Sequence, residues 1–266
     1  MANGNLNRKF LIVIPARRGS KGIPNKNFRL LDGSPVIEYS INHARKFREK
    51  CDLLVSSDNI DFLEEFASNS KDKSTMNLDG GSNYVFLKKE ETILHHRPSE
   101  HAQDNSGIMP LLQSILQELE YQGSFYQGIV LLQPTVPFRS NSDGLELNRY
   151  LNSKASVDGS FVTFRKIGDS HPARMYKKLE DASFKSAGIY PEFQQSRRQD
   201  LPELFLRDGC YYYIGKNLVK QGIQVGDYPA GYVRSFPWNI NLDEESDLIQ
   251  AHYSVKVVKQ LLEQGE

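Results

Sequence analysis

Cysteine and tryptophan are scarce in this sequence of 266 residues, which contains two cysteines and one tryptophan. The two thiols, Cys51 and Cys210, are too few for a disulfide framework or for a zinc site built from cysteine clusters. A metal ion, if the protein uses one, must therefore be held by oxygen ligands.

An excess of either charge is missing as well. Lysine plus arginine and aspartate plus glutamate both number 33, and the formal net charge is zero. Proteins that attract nucleic acid or an anionic membrane through their overall field carry a basic excess. The balance argues against a nucleic-acid-binding module, and any anion site in this chain must be local.

Long apolar runs are also absent. No apolar stretch approaches the roughly 18 residues of a membrane span, and the run at 10–14 is too short for a signal-peptide core. The protein is therefore expected in the cytoplasm. Hydrophobic residues make up 39% of the sequence, which suffices for the core of one large domain.

Short apolar segments rich in β-branched residues alternate with segments whose apolar residues recur at helical spacing. This alternation predicts an α/β fold, with a mostly parallel twisted sheet and helices on both faces. The predicted strands are 9–14, 51–57, 84–87, 128–133, 159–164 and 209–214. The predicted helices are 36–47, 60–68, 105–121, 142–153 and 248–264, with Ser34 as the cap of the first. The polar stretch 69–83 carries no predicted element.

The alternation breaks at 165–206, where polar, proline-containing sequence has no clear period. We interpret 165–206 as an excursion from a single domain that spans residues 1–266. The histidines His95, His96 and His101 precede it without metal-ligand spacing, and we expect them to be solvated loop residues.

The loop after the first strand, "IPARRGSKGIPNKN" at 14–27, holds four cations and no acid. Gly19 and Gly22 permit a tight path on which Arg17 and Lys21 project charge, an arrangement suited to a polyphosphate. It matches neither the Walker loop nor the dinucleotide fingerprint. A solvated surface loop is the alternative. In open α/β sheets, ligands bind beyond the carboxyl ends of the strands, where segments 131–139 and 239–243 would also fall.

The order of residues is more specific than their composition. "IPARRGSKGIPNKN" is followed by "PVIEYSI", "LLVSSDN", "RPSEHAQDNS", "LLQPTVPFRS", "HPARMYKK", "RRQDLPELFLRDGCYYYI" and "NLDEESDL". From residue 10 to about 248, this series resembles the acylneuraminate cytidylyltransferases, which activate nine-carbon sialic-type acids with CTP. Related enzymes that activate the eight-carbon acid Kdo lack the Ser-Lys-Gly of this loop, which counts against that alternative.

The resemblance implies a Rossmann-like nucleotidyltransferase fold with a CTP site in the cleft. The implied nucleotide-binding residues are Arg17, Ser20, Lys21, Asn27, Arg97 and Ser106. Without the resemblance, Arg97 would pass for an ordinary exposed arginine.

The resemblance also implies which residues contact the sugar acid, namely Gln133, Arg174, Arg198 and Tyr212. A guanidinium such as that of Arg198 is suited to bind a carboxylate in bidentate fashion. Gln133 has a second interpretation, as a cap of the chain turn before a proline. Tyr211 and Tyr213 flank Tyr212 on the opposite strand face and are expected to be core residues.

The implied reaction transfers CMP from CTP to the anomeric C2 hydroxyl of N-acetylneuraminate, legionaminate, pseudaminate or a similar acid, and releases pyrophosphate. Lys21, Arg17 and Asp243 are the implied catalytic residues, acting with Mg²⁺, or with Mn²⁺ in its place. In the family, the segment that matches 165–206 pairs two subunits, so a homodimer is implied. A flexible lid would suit its composition equally well.

The chain departs from its family where the usual Asp-x-Asp reads Asn241, Leu242, Asp243. One carboxylate beside substrate phosphates can suffice for Mg²⁺, so we expect Asp243 to bind the metal with help from Asn241. The alternative is that this segment only caps the last helix. A non-catalytic nucleotide-binding protein on the same fold is a further alternative, disfavoured by the presence of Lys21 and Asp243.

Overall fold

A computed structural model describes residues 10–19, 22–47, 51–69, 73–77, 83–87, 92–103, 106–168 and 170–265. Two of the implied nucleotide-binding residues, Ser20 and Lys21, lie outside the described residues.

Among the described residues, nine strands form one sheet in the spatial order β13-β9-β12-β8-β1-β4-β7-β6-β5. In chain order they are β1 Phe10–Ala16, β4 Cys51–Ser57, β5 Lys73–Asn77, β6 Asn83–Leu87, β7 Thr92–His96, β8 Gly128–Leu131, β9 Ser160–Lys166, β12 Phe205–Gly215 and β13 Ala230–Arg234. Two small hairpins lie apart, made by β2 Leu30–Leu31 with β3 Ser34–Pro35 and by β10 Tyr176–Lys178 with β11 Phe184–Ser186.

The four central strands β8, β1, β4 and β7 run parallel, as the predicted fold class requires. Antiparallel pairs flank them on both sides, with β12 between β8 and β9 and with β6 and β5 beyond β7. The central strands read as continuous apolar runs because both of their faces are buried. The predicted α/β class is confirmed, with antiparallel flanks added.

Helices cover both faces of the sheet. They are α1 Val36–Ala44, α2 Ile60–Ser68, α3 Ser99–Ala102, α4 Ile108–Tyr121, α5 Asn141–Ser153, α6 Lys216–Gln221 and α7 Glu245–Glu263. Helices α1, α2 and α5 share one apolar cluster with Phe10, Ile12 and Ile14 of β1. Helices α4 and α6 pack on the other face, against Leu11 and Val13. None of the described helices combines the length and apolar character needed to cross a membrane.

Three local expectations were wrong. Ser34 does not cap α1, because it pairs in the β2–β3 hairpin and Pro35 is the N-cap residue. The stretch 69–83 contains β5, whose polar residues give no strand signal.

The third error concerns the histidines, which are not solvated loop residues. His95 lies in β7 and is fully buried, with its Nδ1 3.0 Å from the Ser56 hydroxyl and its ring stacked on Tyr84. Burial lowers its pKa to about 3, so the ring is neutral. His96 ends β7 and His101 lies in α3, and both are half-buried.

The excursion leaves the sheet where expected, because β9 ends at Lys166 and β12 begins at Phe205. Between them lie the β10–β11 hairpin and short 3-10 turns, and most of these residues are exposed. The excursion therefore contributes little to the core of the sheet.

Candidate active site

A polar cleft of about 340 Å³ opens at the carboxyl ends of the parallel strands. It lies where the cationic loop after β1, the segment after β8 and the segment before α7 converge, as expected from the sequence. Seven of the implied site residues line it: Arg17, Asn27, Arg97, Ser106, Gln133, Asn241 and Asp243.

The loop after β1 is held in place by hydrogen bonds and by one close backbone contact. Asn27 is buried and donates a hydrogen bond from Nδ2 to the Arg17 carbonyl at 2.9 Å. Arg17 donates from Nη1 to the Gln103 carbonyl at 3.1 Å. Gly22 is needed for close approach, since a Cβ there would lie 2.1 Å from the carbonyl oxygen of Asp243. The loop and the segment that carries Asp243 are therefore packed together.

Arg97 follows β7 and is not an ordinary exposed arginine, because only 5% of the residue is exposed. Its backbone N–H donates to the Ser57 carbonyl at 2.9 Å, and no described residue accepts a hydrogen bond from its buried Nε. Burial lowers the pKa of Arg97 to about 10, with Asp58 opposing the shift and Arg17 adding to it. The group stays charged at neutral pH. A buried cation with an unsatisfied donor in a cleft is suited to an oxygen-rich ligand.

Asp243 supplies the only carboxylate among the described residues that line the cleft. Its Oδ1 lies 3.2 Å from Lys26 Nζ, and its Oδ2 accepts a hydrogen bond from Asn241 Nδ2 at 2.8 Å. This bond leaves the buried Asn241 Oδ1 without a partner among the described residues. The site thus presents one engaged carboxylate and one unsatisfied amide oxygen side by side.

The N-terminus of α7 is capped by other residues. Glu244 is the N-cap and forms a capping box with Asp247, whose Oδ2 accepts from the backbone N–H groups of Asp243 and Glu244. The Asp243 side chain takes no part in this box. The segment does cap the helix, as the alternative interpretation has it, but it does so through Glu244 and leaves the Asp243 carboxylate facing the cleft.

Lys26 is a cleft residue that the sequence analysis did not select. It lies in a 3-10 turn, Lys26–Phe28, entered through Asn25 in the left-handed region, and its side chain is 14% exposed. A signal was present, because Lys26 stands beside Asn27 in the same cationic loop. Lys21 has the stronger sequence signal, because a glycine follows it directly.

Three of the residues implied to contact the sugar acid do not line this cleft. Arg174 is exposed on the excursion and donates to the Ser196 carbonyl at 3.3 Å. Arg198 lines a separate cavity of about 480 Å³ on the excursion, together with His171. Tyr212 is buried in the apolar cluster under α4, whereas Tyr211 and Tyr213 belong to the cluster on the opposite face. The predicted alternation of the three tyrosines is confirmed.

No group of three or more histidine, cysteine, aspartate or glutamate side chains is arranged to hold a metal within the described ranges. The cleft offers instead the Asp243 carboxylate and the Asn241 amide oxygen. Both are hard oxygen ligands of the kind that Mg²⁺ takes beside substrate phosphates and water, so the donor set fits that ion.

A central parallel sheet with a cation-lined cleft at its carboxyl edge defines a Rossmann-like α/β fold, in which ligands bind at that edge of the sheet. The same fold occurs in the solved structure of CMP:2-keto-3-deoxy-manno-octonic acid synthetase complexed with CTP. That likeness covers 93% of this chain and 98% of the other, with a TM-score of 0.58 and 15% sequence identity. At this identity the likeness concerns the fold alone.

Sequence comparison narrows the class. A family model described as cytidylyltransferase matches residues 11–78. N-acylneuraminate cytidylyltransferase of Streptococcus agalactiae serotype V is 28% identical over 210 residues, which are 78% of this chain and 44% of that protein. CMP-N,N'-diacetyllegionaminic acid synthase of Legionella pneumophila is 31% identical over 131 residues, which are 49% of this chain and 48% of that protein. These comparisons confirm the resemblance to the acylneuraminate cytidylyltransferases, although the chain spans about half the length of these curated relatives.

Proposed function

We propose that this chain is a Mg²⁺-dependent cytidylyltransferase that transfers CMP from CTP to the anomeric C2 hydroxyl of a nine-carbon sugar acid. The hydroxyl oxygen forms a bond to the α-phosphorus, the bond to the β-phosphate oxygen breaks, and pyrophosphate leaves. The hydroxyl proton passes to solvent. The observation that carries the proposal is the convergence of the cationic loop, buried Arg97, Gln133 and Asp243 on one cleft.

In this proposal the nucleotide occupies the cleft with its triphosphate on the loop after β1. Arg17 and Lys26 line the cleft, and the loop also carries Ser20 and Lys21. Arg17 is suited to bind two phosphate oxygens at once, whereas a lysine follows charge as it moves to the leaving group. Arg97 and Asn27 are buried, and together with Ser106 they are assigned to the nucleoside. Catalysis then consists mainly of positioning and charge neutralisation.

The metal is assigned to Asp243, with Asn241 Oδ1 as a neutral ligand or as a partner of a metal-bound water. Bound Mg²⁺ would neutralise phosphate charge at the reacting group. The ion pair between Lys26 and Asp243 has a consequence here, because the same carboxylate cannot serve both cations fully. We expect the metal to arrive as Mg·CTP, so that Lys26 moves from the carboxylate to a phosphate. Mn²⁺ is expected to substitute.

The acceptor acid is assigned to the Gln133 side of the cleft. Arg174 and Arg198 lie on the excursion, so we assign them to the cleft of a second copy of the chain in a homodimer. The excursion carries a set of exposed apolar side chains that supports this assignment: Met175, Tyr176, Leu179, Phe184, Ile189 and Tyr190. Exposed apolar surface of this extent marks interaction sites in proteins. The cytoplasmic location expected from the sequence stays a prediction.

Pyrophosphate release tests the proposal. The purified protein is incubated with CTP, Mg²⁺ and, one at a time, N-acetylneuraminate, a legionaminate, a pseudaminate and Kdo. Release with a nine-carbon acid and not with Kdo is the expected result. Pyrophosphate release with Kdo alone would favour an enzyme that activates eight-carbon acids. CTP binding without pyrophosphate release in the presence of any of the acids would favour a non-catalytic nucleotide-binding protein. Gel filtration with light scattering tests the dimer in the same preparation.

A further inference from the structure

Arg139 is a buried cation that does not line the proposed nucleotide cleft. Only 4% of the residue is exposed, and within the described ranges no carboxylate lies at ion-pair distance from it. Buried Arg234, by contrast, is paired with both Asp143 and Asp208. A buried charge without an opposite charge is costly, and apolar replacements of buried ions are often more stable. Arg139 is therefore held by hydrogen bonds and by the Tyr211 ring, whose centroid lies 5.6 Å from Cζ, and not by an ion pair.

The guanidinium of Arg139 joins the cleft to the neighbouring strand. Its Nη2 donates to the carbonyl of Gln133 at 2.9 Å and to that of Cys210 at 3.4 Å. Gln133 follows β8 and lines the cleft, whereas Cys210 lies in β12. On its far side the group is anchored by α1, because Nη1 donates to the Ser40 hydroxyl at 2.9 Å.

The side chain of Gln133 depends on the same region. It packs against Gly209, where φ is +80° and where a Cβ would lie 2.6 Å from Gln133 Oε1. Gly209 is held in place from the next residue, since the Cys210 N–H donates to Asp208 Oδ1 at 3.0 Å and the Cys210 carbonyl binds Arg139. One guanidinium therefore binds both the backbone of Gln133 and the strand against which its amide packs.

We propose that Arg139 is a positioning residue that fixes the Gln133 amide in the cleft and thereby sets the affinity for the acceptor acid. The inference rests on the proposed function, in which Gln133 contacts that acid. Arg139 itself touches neither substrate. Its effect should therefore appear in the KM of the acid and leave the KM of CTP nearly unchanged.

Two variants test the inference, one at a partner of Arg139 and one at Arg139 itself. Ser40→Ala removes the hydrogen-bond acceptor of Nη1. Arg139→Lys keeps the charge but loses the planar guanidinium, which binds Ser40 through Nη1 and the two carbonyls through Nη2. Each change removes one or two hydrogen bonds, which corresponds to an increase of about three- to tenfold in the acid KM. The CTP KM should stay within about twofold in both variants. Ser254→Ala, at a buried serine of α7, is the matched control and should change neither value.

A second readout does not depend on turnover. In protein labelled with ¹⁵N-glutamine, the side-chain amide resonance of Gln133, assigned by Gln133→Glu, should shift in both variants and stay in place in Ser254→Ala. If the wild-type protein releases no pyrophosphate, the proposed function fails while this measurement still tests the positioning. An unshifted amide together with an unchanged acid KM in Ser40→Ala would overturn the inference, whether or not Arg139→Lys folds.

Discussion

Replacing Arg97 by methionine should weaken CTP binding without weakening the fold. Only 5% of the residue is exposed, and its Nε has no acceptor among the described residues. Without a ligand, burial of this charge therefore destabilises the fold, and Nε makes no hydrogen bond that offsets it. Methionine fills a similar volume without a charge, so the free energy of unfolding should be unchanged or higher.

The loss in binding follows from the kind of contact that Arg97 would make. A hydrogen bond from a charged donor contributes about 1.5–3 kcal/mol, which corresponds to a loss of roughly ten- to a hundredfold in affinity. Burial lowers the pKa of Arg97 only to about 10, so the group is charged under ordinary assay conditions and the full effect applies.

Isothermal titration with CTP and Mg²⁺ measures the affinity, and thermal denaturation without ligand measures the stability. Arg18→Met is the control, because that side chain is 62% exposed and solvent screens its charge. We expect its CTP affinity to change less than about threefold. Unchanged CTP affinity together with a lower unfolding temperature in Arg97→Met would refute the reasoning and make Arg97 a structural residue.

Three further predictions concern the cleft and the sheet. Lys26→Ala should lower turnover at least about tenfold, because one charge on a transferring phosphate contributes more than ~1.4 kcal/mol; normal turnover would remove Lys26 from the phosphate site. Asp243→Asn should nearly abolish activity with the fold intact, whereas Asn241→Asp should be tolerated and lower the Mg²⁺ concentration at half-maximal rate; full activity of Asp243→Asn, or turnover in excess EDTA, would contradict the metal assignment. His95 has a pKa of about 3 against an ordinary 6.5, so the unfolded chain takes up its proton first and stability falls as pH drops below 6.5, by up to about 1.4 kcal/mol per pH unit. His95→Phe should reduce that slope between pH 6.5 and 5 in urea unfolding, while buried His43, whose pKa is also lowered by burial, keeps part of it. The exposed His252→Phe should not reduce it, and equal slopes in His95→Phe and wild type would show that the His95 ring is not held neutral.

The fold was largely predictable because the central strands are buried on both faces. Segments such as β1 and β8 carry uninterrupted apolar runs that no exposed element would show. Strand β5 was not predicted because its sequence is polar, and β7 was not predicted because two of its five residues are histidines. The antiparallel insertion of β12 depends on the path of the excursion, and local sequence does not encode that path.

The cleft was predictable to the extent that parallel strands bring their carboxyl ends together. Arg17, Arg97 and Gln133 each follow such a strand, so their convergence follows from topology. The role of Lys26 depends on its contact with Asp243, which is more than 200 residues away in the sequence. The role of Asp247 depends on the geometry of the helix cap. Periodicity carries no information on either. Arg174 and Arg198 lie on the excursion, whose position relative to a cleft depends on a second copy of the chain.

The central claim is transfer of CMP to a sugar acid, and ³¹P NMR of the reaction tests it most directly. With CTP, Mg²⁺ and the preferred acid, we expect the three CTP resonances to be replaced by one phosphodiester resonance and one pyrophosphate resonance. One molecule of each product forms per CTP, so the pyrophosphate integral should be about twice that of the phosphodiester. The same spectrum with Asp243→Asn should retain CTP. Persistence of CTP with the wild-type protein across the nine-carbon acids, or the appearance of CMP as a monoester in place of the phosphodiester, would contradict the account.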